Sequence, residues 1–285
     1  MIESVLRDMG TLRFWKLLAT QSFALLGLLA AVGSGIVLFW PEFFRHQGWL
    51  APLALIASLL YGILRAWPRP VGARYLSLGT TVRLVRGDLF LQTDSHLVIG
   101  MSDTFDTASP YIAPESVQGQ FLQRVYGNDL AKLDAEIKEQ LADVATLGSI
   151  AGKFGKTERY PLGTTVTLRA NAHRYFLVAY TLMNNKSSAS TTTDGVWNSL
   201  SELWKVVRDE SNGNRVCMPM IGGGQSKLSP VLPAVDSVRF IAMSFILASR
   251  TRRVCDELVI VAPSKQYDAL DHLEIQAFLN SLGSS

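Results

Sequence analysis

Two long apolar runs dominate the N-terminal part of the chain. Residues 17–39 form a run of 23 residues without a charged side chain, and residues 48–64 form a second run of 17. Only Glu42 and Arg45 carry charge in the short segment between them. At about 1.5 Å per helical residue the first run spans the roughly 30 Å hydrocarbon core of a bilayer, and the second is marginal. The pattern predicts a transmembrane helical hairpin at residues 17–64.

The flanking charges predict how this hairpin is oriented. Arg7, Arg13 and Lys16 precede the first run, and Arg65 follows the second. By the positive-inside rule we expect a two-pass protein of the inner (cytoplasmic) membrane, with the N-terminus and the following domain in the cytoplasm. Residues 1–16 mix apolar and charged positions, which predicts a short interfacial helix. A cleaved signal peptide is the alternative, but the length of the first run and the second run behind it favour the hairpin.

Small residues recur at four-residue spacing in both apolar runs. They are Gly27, Ala31 and Gly35 in the first run and Ala54, Ser58 and Gly62 in the second. In lipid, small residues let helix backbones approach each other closely. Either the two helices pack against one another, or the stripes join copies of the chain into a homo-oligomer.

Beyond a Pro- and Gly-containing connector at residues 65–79, strand and helix patterns alternate over residues 80–285. Strand patterns lie at residues 81–85, 97–101, 164–170, 175–181, 216–220 and 258–261. Helical patterns cover residues 130–141, 196–207, 232–249 and 267–282, and another helix opens after residue 114. The alternation predicts one α/β domain with a mixed central sheet flanked by helices.

Composition narrows the choice of ligand. The net charge is only +3 and no dense basic run occurs, which argues against nucleic acid as a partner. Cys217 and Cys255 lie in apolar, strand-like contexts and are expected to be buried reduced thiols. The four histidines are scattered without metal-ligand spacing, so we expect neither a metal site nor a cofactor.

A glycine-rich segment follows the strand at residues 216–220. Its residues are Gly222, Gly223, Gly224, Gln225 and Ser226. Consecutive glycines let backbone amides converge on an anion, and the following helix would add a favourable dipole. A flexible turn is the alternative, since the segment has neither the Walker spacing nor GxGxxG.

A second polar segment leaves the strand at residues 97–101. It contains Asp103, Thr104, Phe105 and Asp106, and the helix start behind it contains Ser116, Gln118 and Gly119. The two carboxylates would accept ribose hydroxyls, and the amides near the helix start would face phosphate. The alternative is an ordinary capped helix start, with the aspartates satisfying turn amides.

A third element is the Gly87-Asp88-Leu89 tripeptide at the end of the strand at residues 81–85. The Asp88 carboxylate lies at the sheet edge there, where it can accept a hydrogen bond from an adenine amino group. A strand ending in Gly-Asp-Leu, a strand ending in a polar loop and a late strand ending in a Gly-rich loop together resemble the macro domain, an ADP-ribose-binding α/β module.

The resemblance is closest to the diverged macro domain of Thoeris anti-phage effectors, joined here to two N-terminal membrane helices as in the type II systems. It implies that a TIR-domain enzyme makes an ADP-ribose derivative, histidine-ADP-ribose in that type. The macro domain binds this signal, and the membrane segments then assemble and disrupt the inner membrane. It also implies roles for individual residues: Asp88 at adenine; Asp103, Asp106 and Phe105 around the distal ribose; and the Gly119 and Gly222 to Gln225 loops around the diphosphate. We expect Leu89, Thr104, Ser116, Gln118 and Ser226 to complete the ligand-binding set.

One departure from ordinary macro domains bears on catalysis. Their Asn-Ala-Ala-Asn segment is replaced by Gly100-Met101-Ser102-Asp103, so the resemblance implies a receptor and not an enzyme. A membrane-anchored ADP-ribosyl hydrolase that positions water with Asp103 or Asp106 is one alternative. A membrane protein whose α/β domain binds a protein partner is the other. The polar loop at residues 184–193 is either a rim of the site or a surface insertion.

Overall fold

The computed structural model describes residues 12–39, 48–66, 70–109, 111–170, 172–186, 188–222 and 232–283. The chain divides into two compact units, Met1–Arg69 and Pro70–Ser285. Most of the predicted interfacial helix, and the segment between the two apolar runs, lie outside the described residues.

The first unit contains two apolar helices that pack against each other. Helix α1 spans Leu12–Phe39 and helix α2 spans Leu50–Ala66. The small residues of α2 face its partner: Ser58 and Gly62 are buried, and a methyl group built on Gly62 would overlap the Ser22 hydroxyl. A Cβ on Gly27 or Gly35 of α1 would meet nothing within 4 Å. The stripe of α2 therefore packs within the chain, whereas a side chain at either of these two positions of α1 would point into space that no described residue occupies.

The prediction of two membrane-spanning helices is met only in part. One helix among the described residues, Phe14–Phe39, is long and apolar enough to cross a membrane. Helix α2 is equally apolar but has 17 residues, which at about 1.5 Å per residue is a few ångströms short of a roughly 30 Å core.

The second unit is an α/β domain built on an eight-stranded mixed sheet. Its strands are β1 (Gly72–Tyr75), β2 (Thr80–Arg86), β3 (His96–Ser102), β4 (Thr165–Ala170), β5 (His173–Met183), β6 (Ala189–Ser190), β7 (Val216–Pro219) and β8 (Glu257–Ala262). The order across the sheet is β1-β2-β8-β7-β3-β5-β4, with β6 paired to β5. Strands β2, β8, β7, β3 and β5 are mutually parallel, and β1, β4 and β6 add antiparallel edges.

Helices cover both faces of the sheet. They are α3 (Val117–Tyr126), α4 (Leu130–Leu141), α5 (Thr193–Glu210), α6 (Ala234–Thr251), α7 (Ser264–Asp268) and α8 (His272–Ser281). One core layer, with Trp204 and Phe245, lies against α5, α6 and α8; the other, with Phe121 and Ile137, lies against α3 and α4. Because β3 is covered on both faces, its sequence is an almost continuous apolar run.

Both cysteines are free and buried in this core. Burial raises the pKa of the Cys217 thiol to about 11 and that of the Cys255 thiol to about 12. The thiols are therefore protonated at neutral pH and behave as small apolar side chains.

Three predicted boundaries differ from the structure. The connector predicted at residues 65–79 contains β1, because Gly72 exchanges hydrogen bonds at 2.9 Å with the distant Gln276 side chain and fixes a strand too short to show a pattern. The last helix predicted at residues 267–282 is two helices, because Asp271 caps a new start by accepting from the amide of Glu274. The polar loop at residues 184–193 contains the short strand β6.

Candidate functional site

The point where the strand order reverses defines the candidate site. Strand β3 has β5 on one side and β7 on the other. The carboxyl ends of parallel strands lie along one edge of a sheet, and in open α/β sheets a ligand crevice forms where the strand order reverses. A cavity of about 1160 Å³ opens there, lined by Met101 and Ser102 from β3, by Thr181 and Met183 from β5, and by Pro219 from β7.

The N-terminus of α3 forms one wall of this cavity. Ser116, Val117 and Gln118 line it. The Ser116 hydroxyl accepts from the amide of Gly119 at 3.1 Å and donates to the carbonyl of Ala113 at 2.6 Å. The first turn of a helix has amides without intrahelical acceptors and the positive end of the helix dipole, so this wall is suited to an anion.

Glycine is required at position 119 because the backbone turns back on itself there. A Cβ on Gly119 would lie 2.6 Å from the carbonyl oxygen of Pro114, and backbone atoms cannot move aside as a side chain can. Gly119 therefore supports the turn at the cavity wall without itself lining the cavity.

The start of the glycine-rich segment also lines the cavity. Ile221 and Gly222 line the cavity. Gly222 has a φ of +90°, a conformation that L residues other than glycine rarely adopt. The amide of Ile221 donates to the Ser237 hydroxyl at 2.9 Å, which ties this turn to the start of α6. The other predicted residues of this segment, Gly223, Gly224, Gln225 and Ser226, lie outside the described part of the chain.

The structure therefore brings together two of the three predicted elements, namely the helix start at Ser116 and Gln118 and the turn at Gly222. Asp88, predicted to recognise adenine, and its neighbour Leu89, predicted to bind the ligand, are not in the cavity lining. The Asp88 carboxylate accepts from the amide of Phe90 at 2.9 Å and pairs with Arg124 at 2.6 Å. The Leu89 side chain is buried in the core layer beneath α3 and α4.

The two aspartates predicted to contact ribose are buried and have protein partners. Asp103 pairs with Arg159 at 2.6 Å and accepts from the amide of Met183 at 2.7 Å. Asp106 pairs with Lys153 at 2.7 Å, and its other oxygen accepts from the amide of Lys156 at 3.0 Å. Neither carboxylate lines the cavity, and a ribose contact would require these hydrogen bonds to break.

Thr104 and Phe105, between the aspartates, are buried as well. The Thr104 hydroxyl donates to Asp106 at 2.6 Å. Phe105 has a φ of +50° and packs edge-on against Tyr160, with ring centroids 5.7 Å apart. Burial raises the pKa of Tyr160, and the nearby Glu158 carboxylate raises it further. In this arrangement residues 103–106 hold two loops together behind the cavity.

Other residues outside the predicted site set also line the cavity. Tyr180 is one of them, and it lies across Gly100, where a Cβ would overlap its ring. Asn185 and Lys186 border the cavity in the polar turn after β5, and the Asn184 side chain fixes that turn by accepting from the amides of Lys186 and Ser188 at 2.9 Å. Of the two alternatives for the polar loop at residues 184–193, these contacts favour a rim of the site.

Charged side chains are scarce around the cavity. Among the described lining residues only Glu115 and Lys186 are charged. No group of His, Cys, Asp or Glu residues in the described part of the chain is arranged to hold a metal ion. The cavity therefore binds a ligand mainly through backbone amides, hydroxyls and apolar contacts.

Comparison with known structures gives the class of protein. The fold is similar to the macrodomain of Oceanobacillus iheyensis: a structure with ADP matches with a TM-score of 0.50 and 14% identity, over 75% of this chain and 95% of that chain. A mutant of the same macrodomain matches with a TM-score of 0.50 and 15% identity, over 75% and 93%. At these identities the likeness shows a macro fold alone, as expected from the sequence.

The family assignment comes from the sequence itself. The family described as "Thoeris protein ThsA, Macro domain" matches residues 82–263, which is more than half of the chain. The chain therefore belongs to the Thoeris ThsA macro-domain family. No curated protein sequence matches it.

Proposed function

We propose that the protein is a membrane-anchored effector of anti-phage defence whose macro domain binds an ADP-ribose-derived signal. The observation that carries the proposal is one cavity lined by both the α3 N-terminus at Ser116 and the turn at Gly222. A helix N-terminus and a glycine turn are two kinds of backbone element that bind phosphate groups. The similar macrodomain of Oceanobacillus iheyensis was solved with ADP, a nucleotide that carries this diphosphate.

The cavity is long enough for a dinucleotide-like ligand. It extends from Pro263 and Gln266, beyond β8, past β7 and β3 to Met183 at the end of β5. Three strand spacings of about 4.8 Å cover roughly 14 Å. The adenosine would lie at the β8 end, next to the predicted adenine residue Asp88 at the end of β2, which pairs with β8. The distal ribose would then lie at the β3–β5 end, where Lys186 is the one basic side chain among the described lining residues.

The remaining steps follow from the family resemblance and the apolar helices. A TIR-domain enzyme would supply the signal, histidine-ADP-ribose in the type II systems, and binding would drive the membrane helices to oligomerise and disrupt the inner membrane. To shift the protein from 1% assembled to 99% assembled, the ligand must bind the assembled state about 5.5 kcal/mol more tightly than the unassembled state. A ligand with a diphosphate, two riboses and an adenine makes enough contacts to supply it.

A receptor fits this site better than a hydrolase does. The hydrolase alternative needs Asp103 or Asp106 to position water, and both side chains are at most 2% exposed and are paired with cations. A binding role needs no such group. No cofactor is needed for it either.

The test is calorimetric titration of the full chain in detergent micelles with ADP-ribose and with AMP, followed by mass spectrometry of the recovered nucleotide. We expect saturable binding of ADP-ribose, weaker binding of AMP and no product. Gly119→Ala should weaken ADP-ribose binding at least tenfold, because it displaces the α3 N-terminus. Gly127→Ala, at the other end of α3, is the matched control. Open space surrounds Gly127 but its φ is +58°, so this variant should lose some stability through backbone strain and still bind ADP-ribose normally.

Three results would contradict the proposal. Unchanged affinity in Gly119→Ala would remove the helix N-terminus from the site. Turnover of the ligand would favour the hydrolase. Absence of ADP-ribose binding, together with capture of a defined protein partner, would favour the third alternative.

A further inference from the structure

Phe154 is a large apolar side chain held at the edge of the cavity. It is 74% exposed and lines the cavity, whereas its neighbour Lys153 is buried. An exposed phenylalanine beside a buried lysine reverses the usual placement of these residue types. Because the Lys153 side chain points into the protein, the Phe154 side chain beside it points outward, to the edge of the cavity.

Phe154 lies at the tip of a closed loop, residues 147–159, which we call the arch. Leu147 and Arg159 close its base, since the amide of Leu147 donates to the carbonyl of Arg159 at 2.8 Å. Further up, the amide of Ile150 donates to the carbonyl of Thr157 at 2.9 Å. The arch is therefore a hairpin with its own backbone hydrogen bonds.

The tip of the arch is fixed by the Lys153 ammonium. It bonds to Asp106 at 2.7 Å and to the carbonyls of Phe154 at 2.9 Å and Lys156 at 2.7 Å. It also lies 5.6 Å from the centroid of the Tyr111 ring, another residue of the cavity wall. Lys153 is thus a positioning residue that holds the carbonyl of Phe154 and the backbone that follows it.

The arch belongs to the β3–β5 end of the cavity. Lys153 forms its ion pair with Asp106, which follows β3. Arg159, at the base of the arch, pairs with Asp103, and the Asp103 carboxylate also accepts a hydrogen bond from the amide of Met183 in β5. The opposite end of the cavity is formed by Pro263 and Gln266 beyond β8. A ligand with adenosine at the β8 end therefore presents its other end to Phe154.

We infer that Phe154 is a specificity-determining residue that stacks on a planar heteroaromatic ring carried by the distal ribose of the ligand. The inference rests on the proposed function and deepens it by assigning one side chain to the group that distinguishes the signal from ADP-ribose itself. An aromatic side chain presented on a fixed backbone binds such a ring at little cost in conformational entropy. The rest of the ligand is bound elsewhere in the cavity, so Phe154 sets selectivity and not overall binding.

The test compares two probes on four forms of the full chain in detergent micelles. The probes are ADP-ribose, which has no ring on its distal ribose, and histidine-ADP-ribose, which carries an imidazole there. The forms are wild type, Phe154→Leu, Phe154→Tyr and Leu147→Ala. Leu147 is a matched control, because it is 66% exposed on the same arch but does not line the cavity.

We expect wild type to prefer histidine-ADP-ribose and Phe154→Leu to lose about tenfold in affinity for it, with less than twofold change for ADP-ribose. Phe154→Tyr should keep the preference and Leu147→Ala should change neither affinity. Since Phe154 is exposed, all forms should unfold at the same temperature.

Three results would overturn the inference while leaving the proposed function intact: equal binding of both probes by wild type, equal weakening of both by Phe154→Leu, or an unchanged preference in Phe154→Leu. Failure of wild type to bind either probe would overturn the proposed function and this inference together.

Discussion

The buried Lys153–Asp106 pair provides the sharpest test of how the site is held in shape. The two side chains are 0% and 2% exposed, and their charged atoms lie 2.7 Å apart. In Lys153→Met the aliphatic stem is kept and the ammonium is lost. The Asp106 carboxylate then stays buried with hydrogen bonds only from Thr104 and the amide of Lys156, and two carbonyls of the arch lose their donor.

Removing one partner of a buried ion pair costs about 3–5 kcal/mol, because the other charge is left uncompensated. Against a total stability of about 5–15 kcal/mol this is a large loss. Lys156→Met is the matched control on the same arch. Its pair with Asp134 is 2.6 Å long and its ammonium also donates to the carbonyl of Phe105 at 2.8 Å. The paired side chains are 33% and 35% exposed, and ion pairs that water reaches contribute about 0–1 kcal/mol, with about 1 kcal/mol more for the hydrogen bond.

The measurement is urea unfolding of the full chain in mild detergent, followed by near-ultraviolet circular dichroism, to which the buried Trp204 contributes. We expect a loss of about 4 kcal/mol in Lys153→Met and below about 2 kcal/mol in Lys156→Met. Adding Asp106→Asn to Lys153→Met should recover part of the loss, since a neutral amide can stay hydrogen-bonded to the Thr104 hydroxyl. Losses of similar size in the two single variants, or no recovery in the double variant, would refute this reasoning.

Two further predictions concern pH and the helix pair. His96 accepts from the amide of Arg174 at Nδ1 (3.1 Å) and donates from Nε2 to the carbonyl of Ser211 (3.2 Å), which requires a neutral ring. Its pKa is lowered from 6.5, chiefly by burial. The folded state then binds fewer protons than the unfolded state, so the free energy of unfolding should fall as pH drops from about 6.5 towards the lowered pKa. Denaturant titrations at pH 7.5 and 5.5 measure this fall. An equal fall in the free energy of unfolding of His96→Gln would contradict the assignment to His96. In the first unit, Gly62→Leu should separate α1 from α2, whereas Gly27→Leu has open space around it. Loss of liposome leakage in Gly62→Leu alone would show that the small-residue stripes serve packing within the chain. Loss of leakage in Gly27→Leu as well would show that copies of the chain pack through α1.

Part of the candidate site could be predicted from local sequence because local backbone geometry creates it. The capped helix start at Ser116 and the glycine turn at Gly222 follow from residue types adjacent in the chain. The macro fold was likewise predictable from the order of strand-end loops, and the family match at residues 82–263 confirms the macro assignment.

The roles of the aspartates could not be read in the same way. Asp103 and Asp106 stand in a polar turn, and local sequence makes them equally good ribose acceptors or ion-pair partners. Their partners, Arg159 and Lys153, come from a loop about 50 residues further along. A contact over that separation depends on how β3, β4 and β5 place the arch, which no local pattern records.

The sequence by itself determined the elements whose signal lies within one stretch of chain: the apolar runs of α1, β3 and β5 and the amphipathic patterns of α4 and α5. Such a signal suffices because a continuous apolar run or an apolar stripe must be removed from water whatever lies opposite. Only the tertiary structure decided that β1 joins the sheet, that Gly62 and not Gly27 meets a neighbouring helix, and that Phe154 faces the cavity while Lys153 is buried. Those outcomes depend on the particular atoms opposite each residue, because packing and ion pairing are short-range and join residues that the chain keeps far apart.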